Sequence, residues 1–149
     1  MNEHVSGQAG GPSAGQGNGQ GNIGKRVGKP LIAWAIGNAG IGWAFVMLEP
    51  GFWQGLLVQA FFWGVIDGAI GLSAWFGKKE QPLAKLEKIF LVNAWLDAVY
   101  MGAGVLVAMA WHVPLGVGTG VGIAIQGAFL LVMDVKHYRA INAVIHVEA

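Results

Sequence analysis

The sequence contains no cysteine and few charged residues, and both absences restrict what the protein can be. Without cysteine there are no disulfides, no thiol redox chemistry and no thiolate metal sites. Charged residues make up 11% of the 149 residues, against about 25% in soluble globular domains, while hydrophobic residues make up 54%. A chain this short has too much surface for so few charges to cover, so lipid is the expected solvent. The net charge of +1 argues against a nucleic-acid partner.

Residues 1–24 are rich in glycine, glutamine and asparagine and contain almost no apolar side chains. Such a segment cannot bury enough surface to offset the entropy of ordering its backbone, so we expect it to be disordered. It also lacks the apolar core of a signal peptide. Together with the basic run that follows it, this segment predicts a disordered Gly-rich tail over residues 1–29.

Four apolar stretches follow the tail and predict an all-α fold, a four-helix transmembrane bundle over residues 30–133. Each stretch is long enough, at about 1.5 Å per residue, to cross or nearly cross a hydrocarbon core of about 30 Å. Prolines lie at or between their ends, where the loss of a backbone donor is tolerated. The stretches are 31–48, 55–76, 89–111 and 115–133. Residues 134–149 predict an amphipathic tail on the cytoplasmic surface, with a frayed end of the fourth helix as the alternative.

The basic residues give this arrangement a direction. All nine Lys and Arg residues lie before the first stretch, between the second and third, or after the fourth. The two opposite loops, around Glu49 and around His112, contain no Lys or Arg. By the positive-inside rule, both termini are predicted to be cytoplasmic. We therefore expect a multi-pass protein of the cell (inner) membrane whose cytoplasmic face contacts anionic lipids.

Polar side chains inside the apolar stretches mark the expected interior of the bundle. Asp67 lies near the middle of the second stretch and Asp97 near the middle of the third. An aspartate at that depth costs about 2.5–3.5 kcal/mol, so both are candidates for an ion or ligand site or for an interhelical polar core. The same candidate set includes Asn38, Asn93, Tyr100 and Gln126, and a second candidate polar pair, Asp134 and His137, lies at the inner end of the fourth stretch.

Two classes of function remain open for these residues. In the first, the protein is a structural or accessory membrane subunit, and the aspartates form hydrogen bonds across helices with Asn38, Gln126 or Tyr100. In the alternative, Asp67 and Asp97 bind a proton or a cation in a small transporter or channel.

The histidines and glycines add little chemistry but indicate close packing. His112 and His137 are predicted at opposite membrane faces, so they cannot share a metal or a haem. No catalytic residue, metal site or cofactor is expected, and we do not predict an enzyme. Gly116-xxx-Gly120 in the fourth stretch allows close helix contact, either within the bundle or with a homo-oligomer or membrane-complex partner.

The part of the chain from Leu86 onward resembles a family of small, functionally uncharacterised bacterial four-helix integral membrane proteins. The residues that carry the resemblance are Leu86-Glu87-Lys88, Asn93 to Tyr100 with Gly104, Gln126 to Leu131, Asp134 and His137. The resemblance implies four membrane helices and no particular activity. The chain departs from the small multidrug transporters, which place a glutamate in their first helix, because its first apolar stretch contains Asn38 and no acid.

Overall fold

The computed structural model describes residues 16–77 and 81–147, and the side chains of residues 26–77 and 81–146. The described residues form four α-helices, as the apolar pattern predicts: α1 (Gln16–Gly42), α2 (Phe52–Phe76), α3 (Leu83–Ala110) and α4 (Pro114–Val147). A short 3₁₀ segment, Trp43–Met47, follows α1. Four segments are long and apolar enough to cross a membrane, with 22, 25, 28 and 33 residues, and the first combines part of α1 with the 3₁₀ segment.

The helices pack as two hairpins that meet through α2 and α4. Helix α1 packs against α2, and α3 packs against α4. Helices α2 and α4 contact each other and join the hairpins, so these two helices occupy the middle of the fold. The buried polar side chains accordingly belong to α2 and α4, and they are Asp67, Gln126 and Asp134.

The burial of side chains is inverted relative to that of a water-soluble protein. Asp67, Gln126 and Asp134 are 0%, 3% and 5% exposed, whereas Trp95 and Ile36 are 71% and 69% exposed. Water-soluble monomers rarely expose large contiguous apolar patches. An apolar exterior around a polar interior favours lipid as the surrounding medium.

Glycines in α4 allow this helix to pack closely against a neighbour on each side. A Cβ atom at Gly118 would overlap the carbonyl oxygen of Phe52 in α2. A Cβ atom at Gly120 would lie 2.5 Å from the carbonyl oxygen of Gly104 in α3. Gly118 and Gly122 therefore allow close contact of α4 with α2, whereas Gly120 allows close contact with α3.

Helix α1 begins at Gln16, inside the segment 1–29 that the composition predicts to be disordered, and it contains Pro30. The structure therefore differs from that prediction from Gln16 onward. The first part of the predicted tail, residues 1–15, lies outside the described residues.

Packing against α2 explains why the helix extends to the N-terminal side of Pro30. Glycine and proline disfavour a helix by about 1 and about 3 kcal/mol relative to alanine, and the prediction of disorder depends on these local preferences. Gly28, however, is buried, and a Cβ atom there would lie 2.9 Å from the carbonyl oxygen of Gly71. A tertiary contact that the composition does not contain thus supports the helix at this point.

Helix α4 continues without a break to Val147, past the end at residue 133 that the apolar pattern predicts. The predicted surface tail is therefore, up to Val147, a continuation of α4. It packs on the first turns of α3, where Asn142 Nδ2 donates to Glu87 Oε1 at 2.6 Å. At about 1.5 Å per residue, α4 is about 50 Å long, which exceeds a hydrocarbon core of about 30 Å. Helix α4 is thus long enough to extend beyond a bilayer at the end of the α3–α4 hairpin near residues 83 and 147.

Candidate functional site

A chain of side-chain hydrogen bonds links α1, α4 and α2 in the middle of the fold. The indole N–H of Trp34 donates to Gln126 Oε1 at 2.8 Å, and the Gln126 amide N–H donates to Asp67 Oδ2. The Trp34 ring stacks on Phe129, with ring centroids 4.0 Å apart. Gln126 therefore uses both ends of its amide, and partners on two other helices hold its orientation.

Asp67 has no exposed surface, and its two carboxyl oxygens have different surroundings. Oδ2 accepts the hydrogen bond from Gln126, whereas Oδ1 is buried without a hydrogen-bond partner among the described residues. Burying a polar atom without a partner costs about 1–3 kcal/mol, and more when the group is charged. Asp67 thus keeps an acceptor oxygen that the surrounding side chains do not satisfy.

Two further carboxyl groups complete a cluster that includes Asp67. Asp97 of α3 and Asp134 of α4 lie close enough for their carboxyl groups to interact, and Asn93 lies close to Asp134. Asp97 is also close enough to act electrostatically on Asp67. Its Oδ2 atom is a second buried oxygen without a partner in the described part of the chain. We call Asp67, Asp97 and Asp134 the carboxyl cluster, and Asp97 connects its other two members.

The side chains that interact with the carboxyl cluster are other carboxyl groups and amides. Two carboxyl groups form a hydrogen bond with each other only when one of them carries a proton, because a carboxylate oxygen can only accept. No described Lys, Arg or His side chain acts on these three groups. Within residues 16–77 and 81–147, no three Asp, Glu, His or Cys side chains are arranged to hold a metal ion. No described cation therefore compensates charge on the carboxyl cluster, so ionised aspartates there would repel one another.

Two residues of the predicted polar core have partners of their own. The Tyr100 hydroxyl accepts a hydrogen bond from Trp63 Nε1 at 2.9 Å, which links α3 to α2. Asn38 donates to the carbonyl oxygen of Trp34 at 2.9 Å, so this bond stays within α1. Four of the six predicted core residues thus lie at the carboxyl cluster: Asp67 and Asp97 as members, Gln126 as the hydrogen-bond donor to Asp67, and Asn93 close to Asp134.

Asp134 and His137, predicted as a polar pair, have separate partners in the structure. His137 Nδ1 lies 2.7 Å from the carbonyl oxygen of Met133, and its ring stacks on Phe90 at a centroid distance of 5.2 Å. Asp134 contacts Asp97 and belongs to the carboxyl cluster. Their spacing of three residues directs the two side chains to different levels of α3.

The register of α3 against α4 explains why Asp97 meets Asp134. Gly127 of α4 packs against Met101 of α3. Because the two helices are antiparallel, Asp97, four residues before Met101, lies level with residue 131, four residues after Gly127. Helical side chains lean toward the N-terminus of their own helix. The side chain of Asp97 therefore points toward the end of the hairpin near residue 83, and that of Asp134 points toward the loop between α3 and α4. These opposite directions bring the two carboxyl groups together although residue 134 is three residues beyond residue 131. The sequence predicts an acidic residue in each of the two neighbouring helices, but it does not predict the register that brings them together.

Fold and site together define a class of protein: within residues 16–77 and 81–147, an all-helical fold with four helices long and apolar enough to cross a membrane, built around buried carboxyl groups. Residues 30–135 match a family of unknown function (DUF6992), and the chain belongs to this family. All three members of the carboxyl cluster lie within the matched residues. No curated protein and no solved structure matches the chain. The resemblance to a functionally uncharacterised family is thereby confirmed.

Proposed function

We propose that this protein is a multi-pass protein of the cell (inner) membrane whose carboxyl cluster takes up and releases protons, in proton-coupled transport or in proton conduction. The observation that carries the proposal is the presence of two buried carboxyl oxygens, Asp67 Oδ1 and Asp97 Oδ2, without partners among the described residues. Acids inside membrane segments are expensive and commonly belong to ion pathways. Protonation removes the charge and turns an unsatisfied acceptor into a hydrogen-bond donor.

Two features support the proposed membrane topology, with both termini in the cytoplasm. The exterior of the four helices is apolar, with large hydrophobic side chains exposed along α1 to α4. In the sequence, all Lys and Arg residues lie before the first apolar stretch, between the second and third, or after the fourth, which is the pattern of cytoplasmic flanks.

A structural or accessory subunit is the contrasting function, in which the same side chains merely hold the helices together. That role is served by matched donors and acceptors, such as the bond between Trp63 and Tyr100, each worth about 0.6 kcal/mol in a membrane. An acceptor without a donor adds a cost and holds no helix. The two unsatisfied oxygens therefore favour proton exchange over a purely structural core.

Proton flux into vesicles tests the proposal. The full chain is reconstituted into vesicles that contain a pH-sensitive dye, and a proton gradient is applied with valinomycin and potassium present to remove any opposing potential. The native protein is expected to acidify the vesicles faster than lipid alone, and Asp97→Asn to remove the difference. Glu87→Gln is the matched control, because Glu87 is also a carboxyl group of α3 but bonds to Asn142, outside the cluster.

A second measurement detects proton binding even when transport needs an unknown substrate. Infrared difference spectra between two pH values report the carbonyl stretch of carboxyl groups that gain or lose a proton. We expect a band from buried carboxyl groups in the native protein and in Glu87→Gln, and its loss or shift in Asp97→Asn and Asp134→Asn. A native protein with neither this band nor proton flux would refute the proposal and favour the accessory role.

A further inference from the structure

A groove of about 430 Å³ lies between α1 and α2, and its walls are mainly apolar. The apolar lining includes Ile32, Ile36, Leu72 and Phe76. Ile36 and Phe76 are 69% and 72% exposed, so the groove opens outward, onto the surface that faces lipid in the proposed topology. From Lys29 to Ile36 it follows two turns of α1, about 10 Å along the helix axis. Its dimensions suit a segment of hydrocarbon chain.

The positively charged side chain of Lys29 lies at one end of this groove. Lys29 lines the groove, and its Nζ atom is 5.7 Å from the ring centroid of Trp75, within reach of a cation–π interaction. Arg26 lies one turn earlier on α1, and both basic side chains are exposed. The described carboxylates are elsewhere: in the carboxyl cluster, in the α1–α2 loop and near the start of α3. Among the described residues, no carboxylate therefore pairs with the ammonium group of Lys29 at the mouth of the apolar groove.

We infer that the groove binds an anionic glycerophospholipid of the cytoplasmic leaflet, with one acyl chain in the groove and the phosphate at Lys29. Charge complementarity selects this occupant, because a phosphate joined to a hydrocarbon chain matches a cation joined to an apolar channel. Trp75 lies beside the cation, and tryptophan prefers the depth of lipid headgroups. The inference rests on the proposed membrane topology and is independent of proton exchange at the carboxyl cluster.

Native mass spectrometry of the full-length protein in detergent tests this site. The protein is mixed with phosphatidylglycerol or with phosphatidylcholine of the same acyl chains, and the first bound lipid is quantified. A lysine near an anionic headgroup changes affinity about five-fold, so the native protein is expected to prefer phosphatidylglycerol by about that factor. Lys29→Gln should abolish the preference and Lys29→Arg should retain it. The matched control, Lys88→Gln, alters an exposed lysine of α3 outside the groove and should bind as the native protein does.

A second variant tests the apolar part of the groove. Ala33 lines the groove and is exposed, so Ala33→Trp should fill it without disturbing the core and lower the binding of both lipids. Equal binding of the two lipids by the native protein, or equal effects of Lys29→Gln and Lys88→Gln, would overturn the inference. Circular dichroism verifies that each variant is folded. Asp97→Asn should bind lipid as the native protein does, so failure of the lipid site and failure of the proton site are distinguishable.

Discussion

Replacing Gly104 with alanine tests the closest approach between α3 and α4. A Cβ atom at this position would lie 2.5 Å from the backbone nitrogen of Ala124 and 2.7 Å from the carbonyl oxygen of Gly120. Both are backbone atoms, so no side-chain rotation can relieve the overlap. Since carbon atoms pack at about 3.5–4.0 Å, the two helices would have to separate locally by about 1 Å.

Gly102 provides the matched control two residues earlier in the same helix. Apart from its chain neighbours and the backbone of its own helix, no described atom lies within 4 Å of the position that its Cβ would occupy. Gly102→Ala should therefore be neutral or stabilise the fold by up to about 1 kcal/mol through helix propensity. Gly104→Ala has the same gain in propensity, but overpacking typically costs about 1–3 kcal/mol, so it should be less stable than Gly102→Ala by about that amount.

The assay is reversible unfolding of both variants in one detergent, followed by helical circular dichroism. Equal unfolding free energies, within about 0.5 kcal/mol, would refute the close contact of α3 with α4 at Gly104. A loss of stability in Gly102→Ala as large as that in Gly104→Ala would indicate that the exposed side of α3 is covered, which would favour a homo-oligomer. The two unfolding free energies can be compared directly, because both substitutions add one methyl group to the same helix.

Three further predictions concern the interior and the topology. Gln126→Leu should destabilise the fold by about 1–3 kcal/mol because it removes the donor to Asp67, and adding Asp67→Leu should recover part of that loss in the same unfolding assay. Since the chain has no cysteine, single-cysteine variants report topology: a membrane-impermeant maleimide should label Glu49→Cys in intact cells and Pro82→Cys after permeabilisation, and the reverse pattern would contradict cytoplasmic termini. Trp63→Phe should cost about 0.6 kcal/mol in unfolding free energy, and a loss above about 2 kcal/mol would mean that more than one hydrogen bond depends on the indole.

Composition and spacing were sufficient for the main elements of the fold. Helices α2 and α3 and the first part of α4 contain long apolar runs, and prolines lie near their ends, so their existence follows from local sequence. Asp67 is predictable as an interior residue for the same reason, since it interrupts the apolar run of α2. The helical turn before Pro30 is not predictable in this way, because its support comes from a contact of Gly28 with α2.

The pairing of polar side chains was less predictable than their positions. Trp34 and Trp63 are donors to Gln126 and Tyr100, yet a tryptophan in an apolar stretch is equally compatible with a lipid-facing surface. Asp134 follows the apolar run of α4 and therefore resembles a residue at the membrane surface. Asp134 belongs to the carboxyl cluster because α4 extends beyond its apolar run and because helical side chains point toward the N-terminus of their helix. Neither feature can be predicted from a short window of sequence.

The balance of donors and acceptors distinguishes a structural core from a proton site at Asp97. An asparagine there could donate its amide N–H to Asp134, so a core that serves stability alone would be satisfied at least as well by Asn as by Asp. Asp97→Asn is therefore expected to have an unfolding free energy no lower than that of the native protein, while the proton-dependent infrared band is lost or shifted. A destabilisation of more than about 1 kcal/mol with an unchanged band would show that the carboxyl group acts mainly to hold α3 and α4 together. The carboxyl group would then be retained for packing, and the accessory role would be the better account of the cluster.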